Sequence, residues 1–131
     1  FVNMKKDNDI LVNMIIKKVP LTVCYLSQRN TKTDFPVLTC TASLINGCPR
    51  TVIGARPASA MVVEDTQGIL SGFDTMNREE KIQAIHGFAE YAAKSVPVSG
   101  NMRASQEYRS LLVQVLTRRA WETVGGVSDE N

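Results

Sequence analysis

From Val37 to Ile45 the side chains alternate: Leu38, Cys40, Ala42 and Leu44 fall on one face, Thr39, Thr41 and Ser43 on the other. A period of two over nine residues is the pattern of a strand with one face buried and one wet. Asn46-Gly47 follows at once, two residues that tolerate the positive φ of a tight turn. Cys48-Pro49 suggests a connection slightly longer than two residues before Arg50–Ala55 returns as the antiparallel partner. A hairpin of this kind must cover one face with something apolar.

The cover is predicted from the second half of the chain, where the period changes. Asn77 followed by Glu80 reads as a capping box opening a helix to about Ser95, with Ile82, Ile85, Ala89, Ala92 and Val96 on one stripe and Pro97 as the stop. A second helix is expected over about 104–123, with Tyr108, Leu111, Leu112, Val115, Leu116 and Ala120 as its apolar face. Pro57 and Gly72 bracket a further helix over about 58–70. Upstream, residues 10–16 (ILVNMII) and 21–26 (LTVCYL) read as short strands, and Ser27–Asp34 as a polar connection. The predicted fold class is therefore α+β: an antiparallel sheet of three to four strands with three helices packed on one side.

Composition narrows the function. With 131 residues, 44% of them hydrophobic and 21% charged, the chain has ordinary globular content. A net charge of +2 is too small for a nucleic-acid footprint, and no apolar run approaches the length of a membrane span. Neither a GxGxxG nor a GxxxxGK[ST] phosphate cradle occurs. Cys24, Cys40 and Cys48 lack CxxC or histidine-spaced partners, so no metal site is expected, and packed thiols are favoured over a thiol enzyme using Cys40 or Cys48. The sole histidine, His86, lies at the border of its helix's apolar stripe, and the sequence marks no catalytic residue.

Three features bear on a site. Gly54-Ala55-Arg56-Pro57 stands at an expected strand-to-helix junction, where Arg56 is read as pairing with a carboxylate rather than binding an anion. On the last helix Arg109 and Arg119 fall inside the apolar arc, so each is expected to meet a carboxylate, with Glu64 and Asp65 as candidates, or helix-terminal carbonyls. Trp121 falls on the polar side, where it would mark an interface.

The segments TVIGARPASA (51–60) and NMRASQEYRSLLVQVLTRRA (101–120) resemble, in order and separation, those of the C-terminal domain in the FAD-binding (medium) subunit of molybdenum hydroxylases, the family of xanthine dehydrogenase and carbon monoxide dehydrogenase. The resemblance covers roughly residues 10–124. It implies an accessory domain that completes a flavin pocket, while electrons pass from molybdenum and iron-sulfur (2Fe-2S) centres to FAD and on to an acceptor. FAD is then expected in the full subunit and not on this fragment, which would be inactive alone. The implied partners are the FAD-binding domain and the iron-sulfur and molybdopterin subunits, in the cytoplasm. The resemblance also assigns Arg29, Asp34 and Phe35 to the loop that approaches the isoalloxazine ring. Leu26 stands where the family often has lysine, and Ala104 where it often has glycine. By this reading residues 1–20 are the tail of the FAD domain and the junction, 21–124 the C-terminal domain, and 125–131 a disordered tail. The competing reading is a stand-alone interaction or dimerisation module.

Overall fold

A computed structural model describes residues 10–127. Four strands, β1 (Leu21–Gln28), β2 (Leu38–Ile45), β3 (Cys48–Gly54) and β4 (Met61–Val63), form one antiparallel sheet in chain order. Two helices follow, α1 (Arg78–Ser95) and α2 (Gln106–Gly125), preceded by a 3-10 turn at Phe73–Thr75. The α+β class stands. So does the predicted orientation of β2, whose Leu38, Cys40 and Ala42 are fully buried.

The hairpin is tighter than expected. Ile45 pairs with Cys48, so the loop is the two residues Asn46 and Gly47, at φ 51° and 76°. These are the values a two-residue turn needs to match the strands' twist. The capping box of α1 forms as read: Asn77 Oδ1 accepts from the Glu80 N–H at 2.9 Å, and Glu80 Oε2 accepts from the Asn77 N–H at 2.9 Å.

Residues 58–70 correct the sequence reading, for they hold β4 and turns rather than a helix. The β-branched Val62 and Val63 pair with Val52 and Thr51, giving β3 its outer neighbour. Gly68 and Gly72 sit at φ 68° and 70°, left-handed values that end any helix at that point. Residues 10–16 also depart from expectation: no strand forms there, and Ile10, Val12, Ile15 and Ile16 lie exposed. At the other end, Gly125 closes α2 and Val127 is buried, with its N–H on the Glu122 carbonyl. The expected disordered tail therefore does not begin at 125; residues 128–131, like 1–9, lie outside the described residues.

The largest correction is the phase of α2. Its buried face is Arg109, Leu112, Val113, Leu116, Thr117, Ala120, Trp121 and Val124, while Leu111 is 54% exposed and Arg119 lies in solvent. The helix carries apolar residues around more than half its circumference, so the stripe alone left the rotation open. Trp121 decides it. The ring is fully buried, edge-on to Phe73 at 4.9 Å between centroids and to Phe88 at 6.4 Å, and its Nε1 donates to Thr51 Oγ1 at 2.8 Å. An aromatic of this size removes more apolar surface from water than Leu111 could, and its one polar atom is satisfied. The helix α2 thus lies across β2 and β1, and α1 packs on α2.

Trp121→Ala is expected to cost about 3–5 kcal/mol in denaturant unfolding, and Leu111→Ala no more than about 0.5 kcal/mol. Equal losses would mean that α2 is rotated from the phase described.

Candidate functional site

The side chains with chemistry to offer gather where the β1–β2 loop (29–37) meets the α1–α2 connection (96–105). Arg109 holds the two segments together. Only 1% of it is exposed, and it donates from Nε to the Val37 carbonyl at 3.0 Å, from Nη1 to the carbonyls of Ser99 at 2.7 Å and Ala104 at 3.0 Å, and from Nη2 to Asn101 Oδ1 at 2.8 Å. All four acceptors are uncharged. The inward direction predicted for Arg109 is correct, and its predicted partners Glu64 and Asp65 are not: Asp65 Oδ2 instead accepts from the Leu70 N–H at 2.7 Å. Burial, and then the nearby Arg103, push the guanidinium's pKa below its usual value, yet arginine keeps its proton in proteins. The carbonyl dipoles replace the water it has lost.

The loop's own three predicted residues come together at its tip. Arg29 Nη1 donates to the Asp34 carbonyl, and the Asp34 N–H to the Thr31 carbonyl at 3.2 Å. Asp34 Oδ1 accepts from the Phe35 N–H at 2.7 Å, turning the chain so that the Phe35 ring stands 73% exposed. Behind the tip lies Arg103, which the sequence reading missed. Its Nε is 3.4 Å from Asp34 Oδ1, and its guanidinium sits 5.4 Å from the centre of the Phe35 ring. Asn30 Nδ2 donates to the Arg103 carbonyl at 3.2 Å. The NMRAS segment placed Arg103 just ahead of the Ser105 cap of α2, but nothing local paired it with a residue 69 positions earlier.

Arg56 plays a parallel part. Its Nε donates to the Ser59 carbonyl and its Nη1 to the Pro97 carbonyl, each at 2.8 Å, so it meets carbonyls rather than the expected carboxylate. No helix follows it, and Gly54 is explained by packing: a Cβ there would stand 2.5 Å from Thr39 Oγ1 on the paired strand.

The thiols offer no nucleophile in the core. Burial pushes Cys40 up from 9.0 to about 12, against a partial lowering by its contact with Thr117 Oγ1 at 3.8 Å. His86 is exposed and lines a shallow recess with Ala89, Gln114, Val115 and Arg118, none of them a nucleophile or carboxylate. Among the described residues no group of His, Cys, Asp and Glu is placed to hold a metal ion, and no helix is long and apolar enough to cross a membrane.

Comparison with known proteins supplies a frame for this arrangement. The family profile of the CO dehydrogenase flavoprotein C-terminal domain matches residues 37–124. Carbon monoxide dehydrogenase from Hydrogenophaga pseudoflava superposes with a TM-score of 0.65 at 14% identity, covering 82% of this chain and 37% of that one. Quinoline 2-oxidoreductase from Pseudomonas putida 86 gives 0.63 at 19% identity, with 82% and 38% covered. A cyanide-inactivated Cu,Mo-CO dehydrogenase gives 0.63 at 15% identity, with 86% and 40% covered. At these identities the likeness is one of fold, and the chain spans about two fifths of each chain it resembles. No curated protein sequence matches it.

Two outcomes are expected from the site's geometry. Arg109→Ala strands several buried acceptors and should cost about 3 kcal/mol, whereas Arg118→Ala, which loses only a half-exposed pair with Glu122 at 3.7 Å, should stay within about 0.5 kcal/mol in the same melts. A thiol reagent at pH 8 should modify the exposed Cys48 quickly and Cys40 only at the rate of unfolding. The unfolded Cys40 ionises before the folded one, so the stability from burying the neutral thiol is complete below pH 9.0 and is lost as pH rises toward about 12. Rapid native labelling of Cys40 would contradict this.

Proposed function

Because the chain belongs to the CO dehydrogenase flavoprotein C-terminal domain family, we propose that it is the accessory domain of the FAD subunit of a molybdenum-hydroxylase-type oxidoreductase, xanthine dehydrogenase-like in organisation. The observation that carries this reading is the β1–β2 tip, where an exposed Phe35 ring and the Asp34 carboxylate are presented side by side and braced from behind by Arg103 and Arg109. A flavin ring is flat, apolar at one end and polar along the other edge, so one aromatic and one carboxylate fit a single wall of its pocket. They do not fit the remainder of the cofactor, whose diphosphate asks for a cradle that this sequence lacks. When bound in the full subunit, FAD supplies the carrier chemistry that takes electrons from molybdenum and iron-sulfur (2Fe-2S) centres to an acceptor.

The residues of this chain then shape that pocket. Phe35 excludes water from one side, Asp34 places negative charge beside it, and Arg29 closes the loop by binding the Asp34 carbonyl. The fragment by itself is inactive in this reading, and it acts in the cytoplasm with the FAD-binding domain of its own subunit and with iron-sulfur and molybdopterin subunits. The sheet's uncovered face supports a further packed domain, since Leu21, Val23 and Tyr25 of β1 are each about half exposed there.

The test has two arms. Free FAD titrated into the isolated chain should leave flavin fluorescence unchanged, and tight stoichiometric quenching would overturn the accessory-domain reading. In the complete subunit Asp34→Ala should raise the flavin potential, because a negative charge that opposes electron uptake is gone, while stability falls by less than about 1 kcal/mol. An unchanged potential would reduce the loop to a solvated connection.

A further inference from the structure

We infer that Arg103 is a positioning residue for the flavin-facing tip: it sets the direction of the Asp34 carboxylate and the Phe35 ring together, and transmits to them the rigidity of the buried Arg109 network. The inference rests on the reading of Asp34 and Phe35 just given, and it assigns work to a residue outside that loop.

A guanidinium can donate a hydrogen bond and sit as a cation over an aromatic ring, and Arg103 does both on consecutive residues. Its Nε meets Asp34 Oδ1 at 3.4 Å, and its central carbon lies over the Phe35 ring at 5.4 Å from the centroid. Both hydrogen bonds to the Asp34 carboxylate, from Arg103 and from the Phe35 N–H, fall on Oδ1. The backbone of Arg103 is fixed as well. Its N–H donates to Asn101 Oδ1 at 2.9 Å, and its carbonyl accepts from Asn30 at 3.2 Å. Asn101 and Ala104 exchange backbone hydrogen bonds at 3.0 and 3.2 Å, which clamps Arg103 inside a tight turn.

Asn101 Oδ1 joins this turn to the core, because the same oxygen accepts from Arg109 Nη2 at 2.8 Å. A continuous path thus runs from the buried guanidinium through Asn101 and Arg103 to Asp34 and Phe35. The pair at its end is partly solvated, with side-chain exposures of 36% and 29%, so it adds little to folding stability. Its consequence is electrostatic and geometric. With Arg103 in place the Asp34 carboxylate has a cation beside it and is aimed; without it a bare carboxylate stands on a loosened loop.

The complete flavin-loaded subunit gives the test, as wild type, Arg103→Met, Asp34→Asn and the double variant, each checked for an unchanged melting transition. Amide hydrogen exchange over residues 31–36 should quicken by roughly tenfold in Arg103→Met, as expected when a local brace is lost without global unfolding. The flavin potential should fall in Arg103→Met and rise in Asp34→Asn. If Arg103 acts through Asp34, its effect should shrink by at least about half in the Asp34→Asn background. Equal shifts in both backgrounds would show Arg103 acting as an independent charge, and unchanged loop exchange would show that it positions nothing; either result overturns the inference. If exchange quickens while neither single variant moves the potential, the brace is upheld and the flavin-facing reading of the tip is what fails.

Discussion

A single buried cation organises the end of this domain that carries its chemistry. Arg109 projects from the first turns of α2 into a space where Val37, Ser99, Asn101 and Ala104 all turn oxygen toward it. Removing a guanidinium from water is costly, and a charge in such a place persists only when its donors are met. Here carbonyl dipoles from two separate connections meet them. Each therefore depends on the other through one side chain, and the loop between β1 and β2 cannot move away from the connection before α2 without stranding that charge.

The rest of the core serves to put Arg109 in that position. Trp121 lies three turns further along α2, locked between Phe73, Phe88 and Thr51, and it fixes the rotation of the helix about its axis. With that rotation set, Arg109 falls on the buried face and Arg119, ten residues later, falls outside it. The strand β4 completes the arrangement by pairing with β3, and Arg56 ties the intervening turn to the Pro97 carbonyl. Both ends of the α1–α2 connection are thus anchored by arginines that bind backbone oxygen rather than carboxylates.

Much of this was legible from local chemistry. The alternation along β2, the Asn46-Gly47 turn and the Asn77–Glu80 capping box are short-range devices whose partners lie within a few residues, and each forms where it was read, the turn closing with two residues rather than the longer connection expected. The resemblance carried by residues 51–60 and 101–120 identified the domain type, and it put Arg29, Asp34 and Phe35 on one loop. Residues 58–70 misled because Pro57 and Gly72 are helix punctuation only when the chain between them has no better use. Pairing with the open edge of β3 gave Met61–Val63 that use.

What the sequence by itself determined was the class of fold, the turn and cap positions, and the inward direction of one arginine on an apolar arc. Tertiary structure alone decided the phase of α2, the identity of the acceptors around Arg109, and the place of Arg103 beside Asp34 and Phe35. The division has one physical reason. Periodicity and capping are energies between neighbours along the chain, whereas the satisfaction of a buried charge, and the choice between two apolar faces of one helix, are energies between groups that only the folded chain brings together.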